Sequence, residues 1–312
     1  MNIVLIVLAA LLLGGVVVTM VLGCVLYTIL MVRTSAKKWA RECSMPSDPE
    51  QVAIYDRGWE WHLENEQYAK PVEITSFDKL NLVGEYYDFG FNRAAIIVVG
   101  RCETLLYSYY YAAPYKKLGF NVLVFDNRAH GLSEGKACYV GFREYRDVIG
   151  WAELLHKDFG MNEIHLHGLC IGSASALLAM TDEKCPDYVK TMIADGMFAT
   201  FGDSYKQHIK EREHSLFPIY YESLFYMRLL LHINITGDGP LYRVHRMKKP
   251  IAFFHSRKDQ YSEPALLEEI YEKCTAPKSL DWFEEGRHSR VRINNTEKYD
   301  LAIANFINRN YT

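Results

Sequence analysis

The hydrophobic residues of this chain form one long block at the N-terminus and a series of short runs in the rest of the sequence. Residues 3–32 form one uninterrupted block without a charged side chain. Beyond this block, short and almost wholly apolar runs are typical of strands that are buried on both faces of a parallel sheet. These runs are residues 94–99, 121–125, 164–167, 189–194, 250–255 and 279–283.

Between these runs, apolar residues recur at helical spacing, and two further strands at 72–77 and 80–87 predict a hairpin. The alternation predicts an α/β fold, with a mostly parallel sheet that is flanked by helices on both faces. Residues 198–248 break the rhythm with many aromatic side chains, and we interpret them as a mainly helical lid. The predicted helices of the main fold are residues 105–118, 142–159, 173–180, 265–274 and 296–307.

The uncharged block is long enough to cross a membrane, because a helix needs ~20 apolar residues to do so. A buried core helix, a cleaved signal peptide and a lipoprotein signal at residues 21–24 are the alternatives. Against a signal peptide, the block is longer than an apolar core of about 15 residues, and no basic residue precedes it. The sequence therefore predicts a transmembrane anchor at 1–32, a juxtamembrane segment at 33–70 and one α/β domain at 71–312.

Basic residues follow the block and predict the side of the membrane on which the domain lies. Arg33, Lys37, Lys38 and Arg41 come just after it, and only the α-amino group comes before it. Because positive flanks stay in the cytoplasm, we expect a single-pass protein of the cell membrane with a cytoplasmic domain. The cysteines form no Cys-x-x-Cys pair and no disulfide framework, which agrees with a reducing compartment.

Composition excludes several kinds of partner. The net charge is −3 and the domain has no Lys/Arg-rich tract, so we expect no nucleic-acid binding. The sequence contains no convincing metal-ligand spacing and no glycine-rich phosphate loop, so we expect neither a metal nor a cofactor. The sequence leaves the oligomeric state open.

Candidate chemistry begins at Gly168-Leu169-Cys170-Ile171-Gly172, between a predicted strand and a predicted helix. A turn this tight requires small residues two positions either side of its central residue, which is held in a strained conformation above the sheet. The helix that follows offers backbone N–H groups to a developing anion. Cys170 is therefore the candidate nucleophile, although an average cysteine is inert packing.

A thiol nucleophile needs a base, and the base needs a carboxylate to orient it. His288 follows the last predicted strand and is the candidate base. Asp259 follows the strand at 250–255 and is the candidate acid, with Asp195 and Glu284 as alternatives.

Together these segments resemble the α/β-hydrolase superfamily, in which nucleophile, acid and histidine follow one another in this order. Residues 126–135, Asp-Asn-Arg-Ala-His-Gly-Leu-Ser-Glu-Gly, match the Asp-x-Arg-Gly-His-Gly-x-Ser-x-Gly loop of that superfamily except at Ala129. More narrowly, the chain is similar to bacterial membrane-anchored hydrolases of the serine aminopeptidase-like type. The likeness covers roughly residues 71–312.

The chain departs from that pattern at three places. Cys170 replaces the usual serine, Val99-Gly100 replaces His-Gly, and residues 255–264 keep little of the pattern beyond His255, Asp259 and Pro264. An acyl thioester on Cys170 would be open to attack by amines as well as water. With the altered loop, backbone N–H groups of Arg101 or Cys102 are expected to pair with that of Ile171 as the oxyanion hole.

The resemblance implies an enzyme that forms an acyl-enzyme from an ester, thioester or amide and passes it to water. An acyltransferase and a catalytically inactive binding or scaffold protein are the alternatives. The aromatic lid and the membrane anchor favour a small-molecule or lipid-like acyl substrate.

Overall fold

The protein is described here from a computed structural model that covers residues 3–310. Within this range the strands form one eight-stranded sheet in the order β1-β2-β4-β3-β5-β6-β7-β8. β1 and β2 form the predicted hairpin, β2 is antiparallel to β4, and all later pairings are parallel. The strands are β1 Ala69–Thr75, β2 Asn81–Tyr87, β3 Ala94–Val98, β4 Asn121–Phe125, β5 Ile164–Leu169, β6 Val189–Asp195, β7 Ile251–Ser256 and β8 Lys278–Phe283.

Helices cover both faces of this sheet, which confirms the predicted fold class. Along β3, Ile96 and Val98 face one hydrophobic core while Ile97 faces the other. A continuous apolar run therefore packs against the helices on both faces of the sheet. One core contains side chains of α4, α5 and α9, and the opposite core contains those of α2, α3 and α11. The helices are α1 Ile3–Met31, α2 Pro49–Asn65, α3 Leu105–Lys117, α4 Glu144–Phe159, α5 Ile171–Met180, α6 Phe201–Glu211, α7 Ile219–Tyr226, α8 Pro240–Arg243, α9 Pro264–Lys273, α10 Val291–Asn294 and α11 Thr296–Asn310.

The segment after α1 folds onto the main domain. Asp48 caps α2 by accepting from the Glu50 and Gln51 backbone N–H groups, and Pro49 occupies the first turn, where its missing N–H costs nothing. The helix packs Trp61 against Tyr87. The boundaries 1–32, 33–70 and 71–312, and a lid at about 198–248, stay predictions, and Met1, Asn2, Tyr311 and Thr312 lie outside the described residues.

Helix α1 has two distinct parts. Residues 3–18 are exposed and uncharged, and by length and composition α1 is a candidate membrane span. Its last turns instead belong to the folded domain, where Tyr27 and Met31 are buried. Val32 forms a β-bridge with Ala137, and Lys38 Nζ donates to carbonyl oxygens at the helix end, including that of Ile29 at 2.7 Å.

A helical insertion separates β6 from β7. It contains α6, α7, α8 and one turn of π-helix at Met227–Leu231. α7 packs along α1, where Thr19 Oγ1 donates to Glu222 Oε1 at 2.7 Å and the rings of Tyr27 and Tyr226 lie 6.2 Å apart. The insertion therefore joins the candidate membrane span to the edge of the sheet at which the candidate site lies.

Candidate functional site

Cys170 lies at the sharp turn between β5 and α5, with φ 55° and ψ −117°. The turn can close only around glycine. A Cβ on Gly172 would lie 1.8 Å from the Val98 carbonyl oxygen, and one on Gly168 would lie 2.4 Å from the Ser173 Cα. Sterics therefore fix both glycines and hold the strained cysteine at the carboxyl end of the sheet.

His288 and Asp259 meet beside this turn. His288 Nδ1 lies 2.8 Å from Asp259 Oδ2, while Asp259 Oδ1 accepts from the backbone N–H groups of Tyr261 at 2.9 Å and Ser262 at 2.8 Å. Burial opposes ionisation of Asp259, but the facing His288 and these N–H groups lower its pKa below its usual range. The carboxylate is thus held in position to orient the imidazole.

Cys170 lies on the other side of the His288 imidazole. Burial disfavours the imidazolium, but the negative charges of Asp259 and Cys170, with their hydrogen bonds, raise the pKa of His288 well above its usual range. The imidazolium form of His288 is therefore favoured between Asp259 and Cys170.

The alternative acids lie elsewhere. Asp195 ends β6 and accepts from Tyr299 Oη at 2.7 Å, and burial raises its pKa to about 7. Glu284 is exposed on the surface. Of the three carboxylates that the sequence offered, Asp259 is the one in contact with His288.

The loop after β3 reaches the nucleophile. A Cβ on Gly100 would lie 3.1 Å from the Cys170 Cβ, which brings the next backbone N–H, that of Arg101, to the site. The Cys102 N–H donates instead to His130 Nε2 at 3.3 Å. Arg101 N–H, together with Ile171 N–H at the start of α5, is therefore the better pair to receive an oxyanion.

His130 is a positioning residue that the sequence did not single out. Burial lowers its pKa to about 4, and its Nδ1 donates to the Arg128 carbonyl at 2.9 Å, so the ring is neutral and Nε2 accepts. Trp39 stacks on the ring at 4.5 Å. The signal was present in the sequence, because His130 belongs to the 126–135 loop.

The same loop is anchored by buried ion pairs. Arg128 Nε and Nη2 each lie 2.7 Å from the Asp147 carboxylate, and Asp78 takes the remaining guanidinium edge at 2.9 Å. Such bidentate pairs fix a geometry rather than add much stability. The loop therefore has a structural role beside the candidate site.

A cavity of about 350 Å³ lies next to this site, between α1 and the helical insertion. It is lined by Leu26, Leu30, Arg101, Phe201, Tyr205, His208, Ile209, Arg212, His214, Ser215, Ile219 and Tyr220. Among residues 3–310, no group of three or more His, Cys, Asp or Glu side chains is arranged to hold a metal ion.

Comparison with known proteins places the chain in a family. No protein-family model matches it. The chain is 31% identical over 214 residues to the uncharacterized protein YqkD of Bacillus subtilis (strain 168), covering 68% of this chain and 70% of that protein. The chain belongs to the YqkD family.

Solved structures show that this YqkD-family chain has the α/β-hydrolase fold. The Pyrococcus furiosus esterase Pf2001 superposes with a TM-score of 0.68 at 22% identity, over 80% of this chain and 94% of the esterase. An esterase of Exiguobacterium antarcticum gives 0.58 at 15% identity, over 76% and 98% of the two chains. Acylaminoacyl peptidase of Pyrococcus horikoshii gives 0.58 at 18% identity, over 80% of this chain and 43% of the peptidase.

Proposed function

We propose that this protein is a membrane-bound hydrolase in which Cys170 forms a covalent acyl-enzyme with an ester, thioester or amide. The observation that carries the proposal is the contact of His288 with Asp259 at 2.8 Å beside a strained cysteine at a strand-to-helix turn. Esterases and a peptidase among proteins of the same fold support a carbonyl substrate.

The residues divide the reaction into two steps. His288 takes the thiol proton as the Cys170 sulfur attacks the carbonyl carbon, and the oxyanion that forms accepts from the Arg101 and Ile171 backbone N–H groups. His288 then gives its proton to the leaving alcohol, thiol or amine as the carbon–leaving-group bond breaks. In the second step His288 takes a proton from water as the water oxygen attacks the acyl thioester. His288 returns this proton to the Cys170 sulfur as the carbon–sulfur bond breaks and the carboxylic acid leaves.

We further propose that α1 stays attached and spans the cell membrane once, with the domain on the cytoplasmic side. The packing of α1 on α7 and its bridge to Ala137 support a retained helix, because cleavage would remove part of the folded domain. The basic residues after α1 support the cytoplasmic side.

The test uses the full chain in lipid nanodiscs, short incubation with p-nitrophenyl esters and alkyl thioesters, and intact mass. We expect an acyl adduct that disappears in Cys170→Ala and persists in the control Cys185→Ala. Turnover should fall by on the order of 10³-fold or more in Cys170→Ala and in His288→Ala, as in other nucleophile–base pairs.

Two results would contradict the proposed function. If no adduct forms, and iodoacetamide alkylates Cys170 slowly with or without His288, the site is inactive and the protein is a binding or scaffold protein. Unchanged turnover in Cys170→Ala would assign the activity to another residue.

A further inference from the structure

The cavity beside the candidate site has one wall made by the candidate membrane span. Leu26 and Leu30 of α1 line it, opposite Phe201, Ile209 and Ile219 of the helical insertion. These apolar side chains can enclose a hydrocarbon chain. The membrane helix is therefore part of the cavity rather than a separate tether.

The cavity begins next to the candidate nucleophile. Arg101, in its lining, follows the glycine that closely approaches Cys170. On the other side, the ring of His208 stacks on Tyr261 at 3.6 Å, and Tyr261 packs against His288 at 5.6 Å. A substrate with its carbonyl at Cys170 would therefore place an attached chain between α1 and the insertion.

The polar part of the lining is positively charged and contains no carboxylate. Arg101 and Arg212 line the cavity, and within residues 3–310 neither forms an ion pair. Arg101 makes a single long contact, from Nη1 to the Leu30 carbonyl at 3.5 Å. A guanidinium without a carboxylate partner, facing a cavity, is suited to a phosphate or carboxylate of a ligand.

The outer surface of the insertion continues the apolar surface of α1. Residues 3–18, which are wholly exposed, reach only ~24 Å at ~1.5 Å per residue, less than the ~30 Å of a bilayer core. The bilayer must therefore extend to the level of Thr19 and Gly23, where α7 packs. Around α7 the exposed side chains include five large apolar ones, namely Phe217, Tyr221, Phe225, Leu229 and Leu230, with Arg228 among them.

We propose that α1 and the insertion together form a lipid-binding groove at the membrane surface, and that the substrate is an anionic acyl lipid drawn from the bilayer. Its acyl chain lies along Leu26 and Leu30, and its phosphate or carboxylate pairs with Arg101. This rests on the proposed function, because it names the substrate of the same site.

The experiment compares neighbouring positions on one helix, using the full chain in phosphatidylcholine nanodiscs. Acyl adducts are measured with p-nitrophenyl butyrate and p-nitrophenyl palmitate. In Leu26→Trp and Leu30→Trp, which fill the cavity, we expect the palmitate-to-butyrate ratio to fall about tenfold or more. Val25→Trp and Ile29→Trp, at positions that are 48% and 58% exposed and do not line the cavity, should keep the ratio of the native protein.

A second experiment tests whether the positive charge of Arg101 selects an anionic substrate. The probes are 1-palmitoylglycerol 3-phosphate and uncharged 1-palmitoylglycerol. Arg101→Gln should lower the ratio of adduct formed with the phosphate probe to adduct formed with the uncharged probe about tenfold, as expected for loss of a charged hydrogen bond. Arg228→Gln, on the exposed surface, should leave this ratio unchanged.

The outcomes separate the two proposals. Absence of any adduct in the native protein, with either ester, would defeat the proposed function itself. Adducts with equal palmitate-to-butyrate ratios in all four tryptophan variants would leave the enzyme in place and overturn the groove. An unchanged phosphate preference in Arg101→Gln would overturn the anionic substrate.

Discussion

At the scale of single residues, the candidate site depends on one imidazole, that of His288, between the Asp259 carboxylate and the Cys170 side chain. Asp259 is fixed by two backbone N–H groups, so its contact with His288 is rigid before any substrate binds. Preorganised polar groups of this kind need no rearrangement during reaction. The same contact should also make the stability of the protein depend on pH.

The direction of that dependence follows from the two pKa shifts. The raised pKa of His288 adds stability that is fully present below about pH 6.5 and is lost as pH rises through the folded-state value. The lowered pKa of Asp259 adds stability that is present above about pH 4 and is lost as pH falls through its folded-state value. The His288–Asp259 pair should therefore stabilise most between about pH 4 and pH 6.5.

Thermal unfolding of the full chain at several pH values measures this effect. We expect the Tm advantage of the native protein over His288→Gln to be largest near pH 5.5 and to shrink by on the order of a few degrees in alkali. The exposed His245→Gln serves as the control and should follow the native curve. A difference that grows with pH would contradict the raised pKa of His288.

The sequence could name these residues but could not choose among all of them. The glycines of the turn, Gly168 and Gly172, and the order of the motifs along the chain are enough to indicate Cys170 and His288. The choice of Asp259 over Asp195 depends on which carboxylate the folded loops bring to the imidazole, and the engaged Cys102 N–H depends on a contact with His130. Such contacts between distant segments leave no local pattern in a sequence.

At the scale of elements, the central strands were predictable because they are buried on both faces. Predicted runs such as 121–125 and 189–194 coincide with β4 and β6 within one residue. Helix α2 was missed, since its many polar residues obscure the apolar face that contains Ile54 and Trp61. Its beginning was nevertheless signalled by Asp48-Pro49, a capping residue followed by a first-turn proline.

The packing of α1 on α7 could not be predicted from the sequence either. It depends on a single glycine, Gly23. A Cβ on Gly23 would lie 2.5 Å from the Cβ of Glu222, whereas one on Gly15 would meet nothing within 4 Å. Small residues let two helices approach closely in this way. Gly23 therefore decides whether α1 and the insertion stay in contact.

Gly23→Leu should separate the two helices and loosen the insertion. We expect trypsin to cleave the exposed segment 210–213 about tenfold faster or more in nanodiscs. In this variant the α1–α7 contact is already lost, so local unfolding of the insertion no longer has to break it. Gly15→Leu places the same side chain on the same helix in open space and should be cleaved at the native rate. Equal rates in both variants would show that the contact does not hold the insertion.

At the scale of the whole molecule, the basic residues after α1 predict where the domain lies. The native chain with a C-terminal epitope, expressed in bacterial spheroplasts, should survive proteinase K while the cells are intact. After detergent lysis, the exposed segment 211–214 should be cleaved. Cleavage in intact spheroplasts would place the domain outside and overturn the orientation that the flanking charges predict.

α1 packs on α7, and Val32, the residue after it, is bridged to Ala137, so the helix is joined to the domain at two places. The exposed residues 3–18 reach only ~24 Å, so a thicker bilayer would cover more of α1 and bring the domain closer to the membrane surface. The thickness of the host bilayer would thereby set the depth at which the groove opens, and a change of membrane composition would retune the enzyme without any ligand.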